Sequence, residues 1–276
     1  MNRQLYNKYQ LIDFKEDGKM TKAIKVWDNI KWLFKEGKKL GFKKLLKLLW
    51  EDLFSHRTLT QWLYLLGLSL PTLLLEFIGG TRHIAGFAAA LTGILCVIFV
   101  AEGRISNYFI GFVHEMLYLY LSFENMYYGE VLTTLFFTIM QFVGAYYWLV
   151  GHRNGQEKKA EVRDVKSRKL TPLGWLKSLG IALAVWLVFG FIYQSIGSRR
   201  PFWDSSTDGT NWSGQFLQTG MYSEQWLFWI ATNILSIFLW WGAEPHVMLM
   251  YIIYMINSIV GWVKWERDIK TTAKSV

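Results

Sequence analysis

The stretch Phe202–Met221, FWDSSTDGTNWSGQFLQTGM, decides how the rest of the chain is threaded. It lies between two apolar runs, 174–197 and 223–242, yet its own hydropathy argues against a membrane crossing. Charge argues for one. If the stretch stays on one side, Lys264, Arg267, Lys270 and Lys274 end outside while the basic loop 151–173 lies inside. If it crosses, both termini and that loop fall on the cytoplasmic side and only Arg82, Arg199 and Arg200 remain outside, in keeping with the positive-inside bias. A helix carrying Asp204, Ser205, Thr207, Asp208, Asn211, Ser213 and Gln215 cannot face lipid, where unpaired polar groups are costly. It must face protein or a water-filled path, which makes it the best pore-lining candidate; the alternative is a re-entrant or surface segment.

Outward from this stretch, apolar runs of about 20 residues, the length that crosses a hydrocarbon core, recur with short polar breaks. They predict spanning helices at 59–79, 82–103, 105–122, 127–150, 174–197, 202–221, 223–242 and 245–265. With 52% hydrophobic and 17% aromatic residues, the chain is too apolar for an ordinary soluble domain. The net charge of +9 is not that of a nucleic-acid-binding face: of 30 Lys and Arg, 14 precede Thr58 and seven lie between Arg153 and Lys169, the pattern of cytoplasmic loops. Residues 1–58 are expected to be a basic cytoplasmic N-terminus without a cleavable signal peptide. Within it, GFKKLLKLLWEDLF places Phe42, Leu45, Leu46, Leu49 and Leu53 on one helical face, suited to anionic headgroups or to the protein's own cytoplasmic surface. The single cysteine, Cys96, excludes an intramolecular disulfide and a cysteine-based metal site.

Residues 82–150 and 202–265 share a register. Gly144 and Trp148 match Gly261 and Trp265, while Tyr108, Gly111 and Glu115 match Trp226, Trp229 and Asn233, each set spaced i, i+3, i+7. Both repeats begin outside, so they are parallel, and 174–197 is the linking helix that returns the chain across the membrane. The expected fold is an all-α polytopic membrane protein of two three-helix repeats joined by one helix (3+1+3), with 59–79 an extra, peripheral transmembrane helix and 266–276 a cytoplasmic tail. Substrate sites in repeat-built transporters lie between the repeats near the midplane.

Trp226, Trp229 and Asn233 share one helical face, combining two π surfaces with an amide that donates and accepts, which suits a flat polar heterocycle. For Trp226 an interfacial anchor is the competing role. Gln141 and Asn257, close to Gly144 and Gly261, are either ligand contacts or interhelical glue. Tyr108, the match of Trp226, and Asp204 at the head of the polar span complete the candidate substrate-binding set. No catalytic residue, metal or cofactor is expected: the HExxH pattern opened by His114 and Glu115 fails at Tyr118, and no Gly-rich phosphate loop is present.

From about Ala85 to Trp265 the chain resembles the PnuC family of bacterial nicotinamide riboside transporters, in GRISNYFIG (103–111), QFVGAYYW (141–148), RPFWDSSTD (200–208), WLFWIATN (226–233) and NSIVGWVKW (257–265). The resemblance implies a fold related to the SWEET sugar transporters, the 3+1+3 order, a homo-oligomer such as a trimer, and residence in the bacterial inner membrane. It also implies facilitated diffusion of nicotinamide riboside, trapped inside by a separate kinase. Trp226, Trp229, Asn233 and Asn257 fall where the family's motif residues lie. Nicotinamide riboside offers a flat cationic pyridinium, a carboxamide and ribose hydroxyls, which match an aromatic face, paired amides and a polar helix. Asp204 would attract the cation or cap its own helix. Another vitamin precursor such as thiamine is the alternative substrate; a membrane-embedded enzyme or a sensor built on the basic N-terminus are the alternative classes. The first 79 residues are not explained by the resemblance.

Overall fold

The computed structural model describes residues 19–55, 57–78, 84–124, 128–154, 167–241 and 245–274. Residues 1–18, the centre of the basic loop (155–166) and Arg82 lie outside the described residues. Ten helices lie within them: α1 (Lys19–Leu40), α2 (Phe42–Phe54), α3 (Leu59–Ile78), α4 (Ile84–Glu102), α5 (Ser106–Glu124), α6 (Tyr128–Asn154), α7 (Pro172–Ser195), α8 (Pro201–Thr219), α9 (Gln225–Trp240) and α10 (Pro245–Lys274). The spans expected from sequence correspond to α3 to α10 with end shifts of a few residues, except α10, which continues to Lys274.

Two compact units divide the chain at Leu48. In the first, α1 presents Trp27, Ile30, Lys31, Phe34, Lys35 and Lys38 along one groove, with Lys31 Nζ 5.3 Å from the Trp27 ring centroid. Gly41, at φ 75°, ends α1 in the left-handed conformation that glycine adopts without strain.

In the second unit α4 packs on α5 and α5 on α6, while α8 packs on α9 and α9 on α10. Contacts of α6 with α8 and of α10 with α4 join these two sets; α7 lies along α8, and α3 along α4 and α10. The distribution of polarity is inverted relative to a soluble protein. Leu63, Leu66 and Leu70 on α3, Ile139 and Phe142 on α6, and Leu176, Val188 and Phe191 on α7 are exposed, whereas Ser205, Ser213, Gln215, Gln225, Asn233 and Asn257 are buried. Water would make that arrangement unstable, and hydrocarbon makes it necessary. Among the described residues, Ile84–Glu102, Glu130–Leu149 and Pro172–Ser195 are both long and apolar enough to cross a membrane, and Gln225–Leu239 is apolar but shorter.

The polarity of α8 is largely taken up by its neighbours. Ser205 Oγ donates to the Trp186 carbonyl at 3.0 Å and Ser213 Oγ to the Ser178 carbonyl at 2.8 Å. Between them, a Cβ added to Gly209 would stand 2.4 Å from the Ala182 carbonyl oxygen. Residues 205, 209 and 213 therefore form one small-residue stripe that lets the α7 and α8 backbones approach closely. On adjoining faces Asp208 accepts from Thr133 Oγ1 (2.9 Å) and Tyr193 Oη (2.8 Å), and Thr232 Oγ1 donates to Thr210 Oγ1 at 2.7 Å. Of the two environments the sequence allows this helix, these side chains meet protein.

Helix α3, read from sequence as peripheral, is bonded into the bundle. Tyr64 Oη donates to Asn257 Oδ1 at 2.8 Å, and Asn257 Nδ2 donates to the Val97 carbonyl at 3.1 Å. Beside them Leu53, Leu65 and Leu68 pack on Ile94, Ile98 and Phe99.

The α7–α8 contact yields a test. Gly209→Ala forces a methyl against a backbone oxygen that no side-chain rotation can move, and should destabilise the protein by about 1–3 kcal/mol. Gly180→Ala on α7, where an added Cβ meets nothing within 4 Å, should leave stability unchanged or slightly raised. Thermal unfolding in detergent, followed by tryptophan fluorescence, measures both; equal midpoints for the Gly209 variant and the parent would place the α7–α8 contact elsewhere.

Candidate functional site

Two glycines shape the centre of the bundle. A Cβ on Gly144 of α6 would lie 2.2 Å from Cε1 of Tyr108, and one on Gly261 of α10 would lie 2.5 Å from Cζ2 of Trp226. Each aromatic ring thus occupies the volume that a side chain on the facing helix would fill, and here glycine is required for space rather than for backbone freedom. One turn on, a tryptophan closes each contact: Tyr108 meets Trp148 edge-on at 5.0 Å between centroids, and Trp226 meets Trp265 edge-on at 5.9 Å. The two tryptophans lie 6.1 Å apart, and Val100 and Ala101 of α4 complete a buried cluster. Trp148 Nε1 donates to the Gln218 carbonyl at 2.9 Å, tying α6 to the end of α8.

This aromatic plug sits at the end of the bundle where α4 turns into α5 and α8 into α9, called the turn end below. Trp226 is 1% exposed, so it is neither an open stacking platform nor a headgroup anchor in this structure. Tyr108 is closed in the same way.

One turn from the plug along α9, Trp229 is only partly buried and packs on the plug's edge. Gly214 of α8 faces its indole, with a built Cβ 3.2 Å from Cε2, and Phe137 of α6 lies 6.5 Å away, tilted by 35°. A further turn along, Asn233 is buried and its Nδ2 donates to Ser258 Oγ of α10 at 3.2 Å. Gln141, on the same stripe of α6 as Phe137 and Gly144, lies against Gly111 of α5; a Cβ there would be 2.7 Å from its Oε1. Glu115, one turn beyond Gly111 on α5, is buried and brings a carboxyl to the same interior.

The candidates therefore separate. Trp229, Asn233 and Gln141 belong to the level next to the plug; Tyr108 and Trp226 are the plug. Asn257 is adjacent in sequence to Ser258, but its amide is occupied by Tyr64 and Val97, as interhelical glue. Asp204 stands at the head of α8, accepting from Ser198 Oγ at 2.8 Å with Arg200 Nε 3.9 Å from it. Ten residues, about 15 Å of helix, separate it from Gly214. Sequence reasoning missed Ser258 and Phe137 as neighbours of the candidate face, and named Trp148 and Trp265 only as register marks. The i, i+4 spacing of Gly144–Trp148 and Gly261–Trp265 was the available signal.

Chemically, the interior offers aromatic faces, amides and hydroxyls with carboxyl groups nearby. Tyr108 Oη, Gln215 Nε2, Thr219 Oγ1, Trp226 Nε1 and both amide atoms of Gln225 are buried without a hydrogen-bond partner among the described residues. At the turn end Arg57, Arg104 and Lys169 are engaged with carboxylates, while Arg168 donates to the Gly220 carbonyl and lies over the Tyr222 ring. No group of His, Cys, Asp and Glu suited to a metal ion occurs among the described residues.

Comparison with known proteins places this architecture. The family model described as "Nicotinamide mononucleotide transporter" matches residues 83–267. The nicotinamide riboside transporter PnuC of Haemophilus influenzae is 34% identical over 185 residues, covering 67% of this chain and 80% of the relative. That of Neisseria mucosa is 36% identical over 190 residues, covering 66% and 72%. A crystal structure of the vitamin B3 transporter PnuC superposes with a TM-score of 0.67 at 32% identity, over 80% of this chain and 96% of that one. With two thirds of its length matched by one family model, and the polar interior and glycine-seated aromatic plug inside that match, the chain belongs to the nicotinamide mononucleotide transporter family, a family of membrane transporters rather than enzymes.

Proposed function

We propose that this protein takes up nicotinamide riboside across the bacterial inner membrane. The observation that carries the proposal is the α9 face of Trp229 and Asn233 with Phe137 of α6 across from Trp229; Gln141 lies one turn from Phe137 on α6, and Glu115 is buried on α5. A pyridinium cation stacks on indole with both dispersion and cation–π attraction, and its charge is favoured near a carboxyl group. The carboxamide pairs with Asn233 or Gln141, each able to donate and accept, and the ribose hydroxyls use serine and threonine hydroxyls such as Ser258.

The family is described by the mononucleotide, while the relatives are named for the riboside. The riboside suits this interior better. A phosphate dianion calls for Arg, Lys or a nest of backbone N–H groups, and Glu115 and Asp208 would repel it.

Transport is facilitated diffusion, with phosphorylation by a separate kinase retaining the product. Substrate waits next to the plug, and release requires Tyr108 and Trp226 to leave the glycines they cover. The repeats are α4–α6 and α8–α10 with α7 linking them, an assignment supported by the α6–α8 and α10–α4 contacts and by the paired Tyr108–Gly144 and Trp226–Gly261 seats. This 3+1+3 order relates the fold to SWEET transporters. Both termini and the turn end are cytoplasmic. The apolar face of α7, exposed among the described residues, is available for lipid or for a homo-oligomer, such as a trimer.

Trp229→Ala and Asn233→Ala should each weaken riboside binding by about 1–3 kcal/mol while leaving the protein folded. Trp226→Ala should chiefly destabilise the fold, by about 3–5 kcal/mol, because it empties the plug. Calorimetric titration of detergent-purified variants, with elution profile and melting midpoint as controls, separates the two effects; unchanged affinity in both the Trp229 and Asn233 variants would move the site off α9.

Proteoliposomes decide the substrate and the energetics. The riboside should enter down its own gradient without a proton or sodium gradient, while nicotinamide mononucleotide, thiamine and riboflavin should be carried far more slowly. Uptake that collapses when an ion gradient is removed would overturn uniport, and efficient mononucleotide uptake would overturn the riboside assignment.

A further inference from the structure

The chain ahead of α3 lies outside the residues matched by the family model, yet it reaches the core through a buried carboxylate. Asp52, near the end of α2, accepts from the backbone N–H of Ser106 at 2.8 Å. Ser106 is the first residue of α5, so Asp52 caps from another element the helix that carries Tyr108. Around this bond four charges balance. Arg104 Nε donates to Glu102 Oε2 at 2.7 Å and its Nη1 to the Asp52 carbonyl; Arg57 Nη1 donates to Glu102 Oε1 at 2.5 Å. Arg57 also stands 4.9 Å from the Phe99 ring and 5.5 Å from Trp62. The side chains of Arg57, Arg104 and Glu102 are 0%, 3% and 6% exposed, so this is a buried network rather than a surface pair.

The other inner turn is held in the same manner. Residues Ser167–Leu170, just ahead of α7, lie along the α8–α9 turn: the Arg168 N–H donates to the Met221 carbonyl and the Ser223 N–H to the Arg168 carbonyl, both at 3.0 Å. The Leu170 N–H donates to Glu224, and Lys169 bonds Glu266 on α10. Each turn at the plug is thus clamped by the segment that precedes the helix ahead of its three-helix set.

We propose that the α2–α3 connector is a latch on the α4–α5 turn, with Asp52 a positioning residue that holds α5, and through it Tyr108, in the plugged arrangement; the assignment rests on the transport function proposed above. Among the described residues Asp52 Oδ1, Ser106 Oγ and Asn107 Oδ1 are buried without partners, so the bonds described leave the latch short of a saturated network, which would cost more to release. The connector thereby gives the N-terminal extension a means of setting how often the plug opens.

The test uses the full-length protein with Cys96→Ala and Val100→Cys, which places one thiol in the plug. In lipid nanodiscs, Asp52→Asn should raise the rate of maleimide labelling by about fivefold or more, the factor expected from loss of one charged cap, and Asp52→Glu should restore it. In proteoliposomes the same variant should alter the maximal uptake rate while calorimetric riboside affinity stays that of the parent. If Asp52→Asn fails to fold, Ser106→Pro removes the donor of the same bond at a position where a helix accepts proline, and the same increase is expected. Labelling unchanged in the variant that folds would overturn the proposal, as would affinity and melting midpoint falling together, the mark of general loosening. A parent protein that labels as expected but carries no riboside would count against the substrate and leave the latch decided by its labelling.

Discussion

Hydrocarbon supplies no hydrogen bonds, and that constraint organises the whole bundle. Each polar side chain on a spanning helix must meet another part of the protein, so polarity in this sequence marks interior faces. Helix α8 is the clearest consequence. Its serines bond carbonyls of α7, its aspartate bonds α6 and α7, and its threonine bonds α9. A helix too polar for lipid thereby becomes a central packing element, in contact with α6, α7 and α9, and the apolar α7 beside it can turn most of its surface to the membrane.

Within that bundle the aromatic plug reconciles tight closure with reversibility. Rings seated on glycines make large dispersion contacts without charge or directional bonds to break, so the closed state gains packing energy that falls away over a small displacement. Trp229 lies at the edge of the plug, one turn from Trp226 on the same helix, and Asn233 lies a further turn on. On the site proposed above, a solute at Trp229 would be separated from the seat of Trp226 on Gly261 by a single turn of α9, short enough for helix rotation to act on both.

The sequence carried the elements and much of the interior, because periodicity and charge are local signals. Span 105–122 became Ser106–Glu124, and the polar stretch 202–221, read as a span from charge parity, is a helix over Pro201–Thr219. The matched register of Gly144 with Gly261 and of Tyr108 with Trp226 names the residues that touch. What the sequence could not show is long-range pairing. Asn257 read equally as ligand contact or glue until its partner Tyr64, 193 residues away, was placed against it. Asp52 read as one acid in an amphipathic helix, since nothing in its neighbourhood signals a bond to the backbone of Ser106. Trp226 sits near the start of its helix, the usual place of an interfacial anchor, and only the missing side chain of Gly261 draws it inward.

The two clamps at the turn end differ in kind, and the difference bears on how the halves move. The first is buried, with Arg57 and Arg104 shared on Glu102, and a buried pair loses much when one partner goes, because the remaining charge is stranded. The second joins backbone bonds and the buried Glu224 to an ion pair that is half in solvent: the Lys169 side chain is 48% exposed and that of Glu266 21%. Burial alone would push the Glu266 carboxyl up, but hydrogen bonds from Lys169 and Ser223 and the charges of Lys169 and Lys270 outweigh it and hold it below the ordinary carboxylate range. An exposed pair of this sort is screened by salt and contributes little, whereas the buried network is shielded from both salt and water. The two turns thus differ in their ion pairs and not in whether they are held, because the backbone bonds of Arg168 and Leu170 to the α8–α9 turn do not depend on salt. On the latch proposed above, Tyr108 would leave Gly144 only when Asp52 lets go of Ser106, which would put control of full opening on the α4–α5 turn.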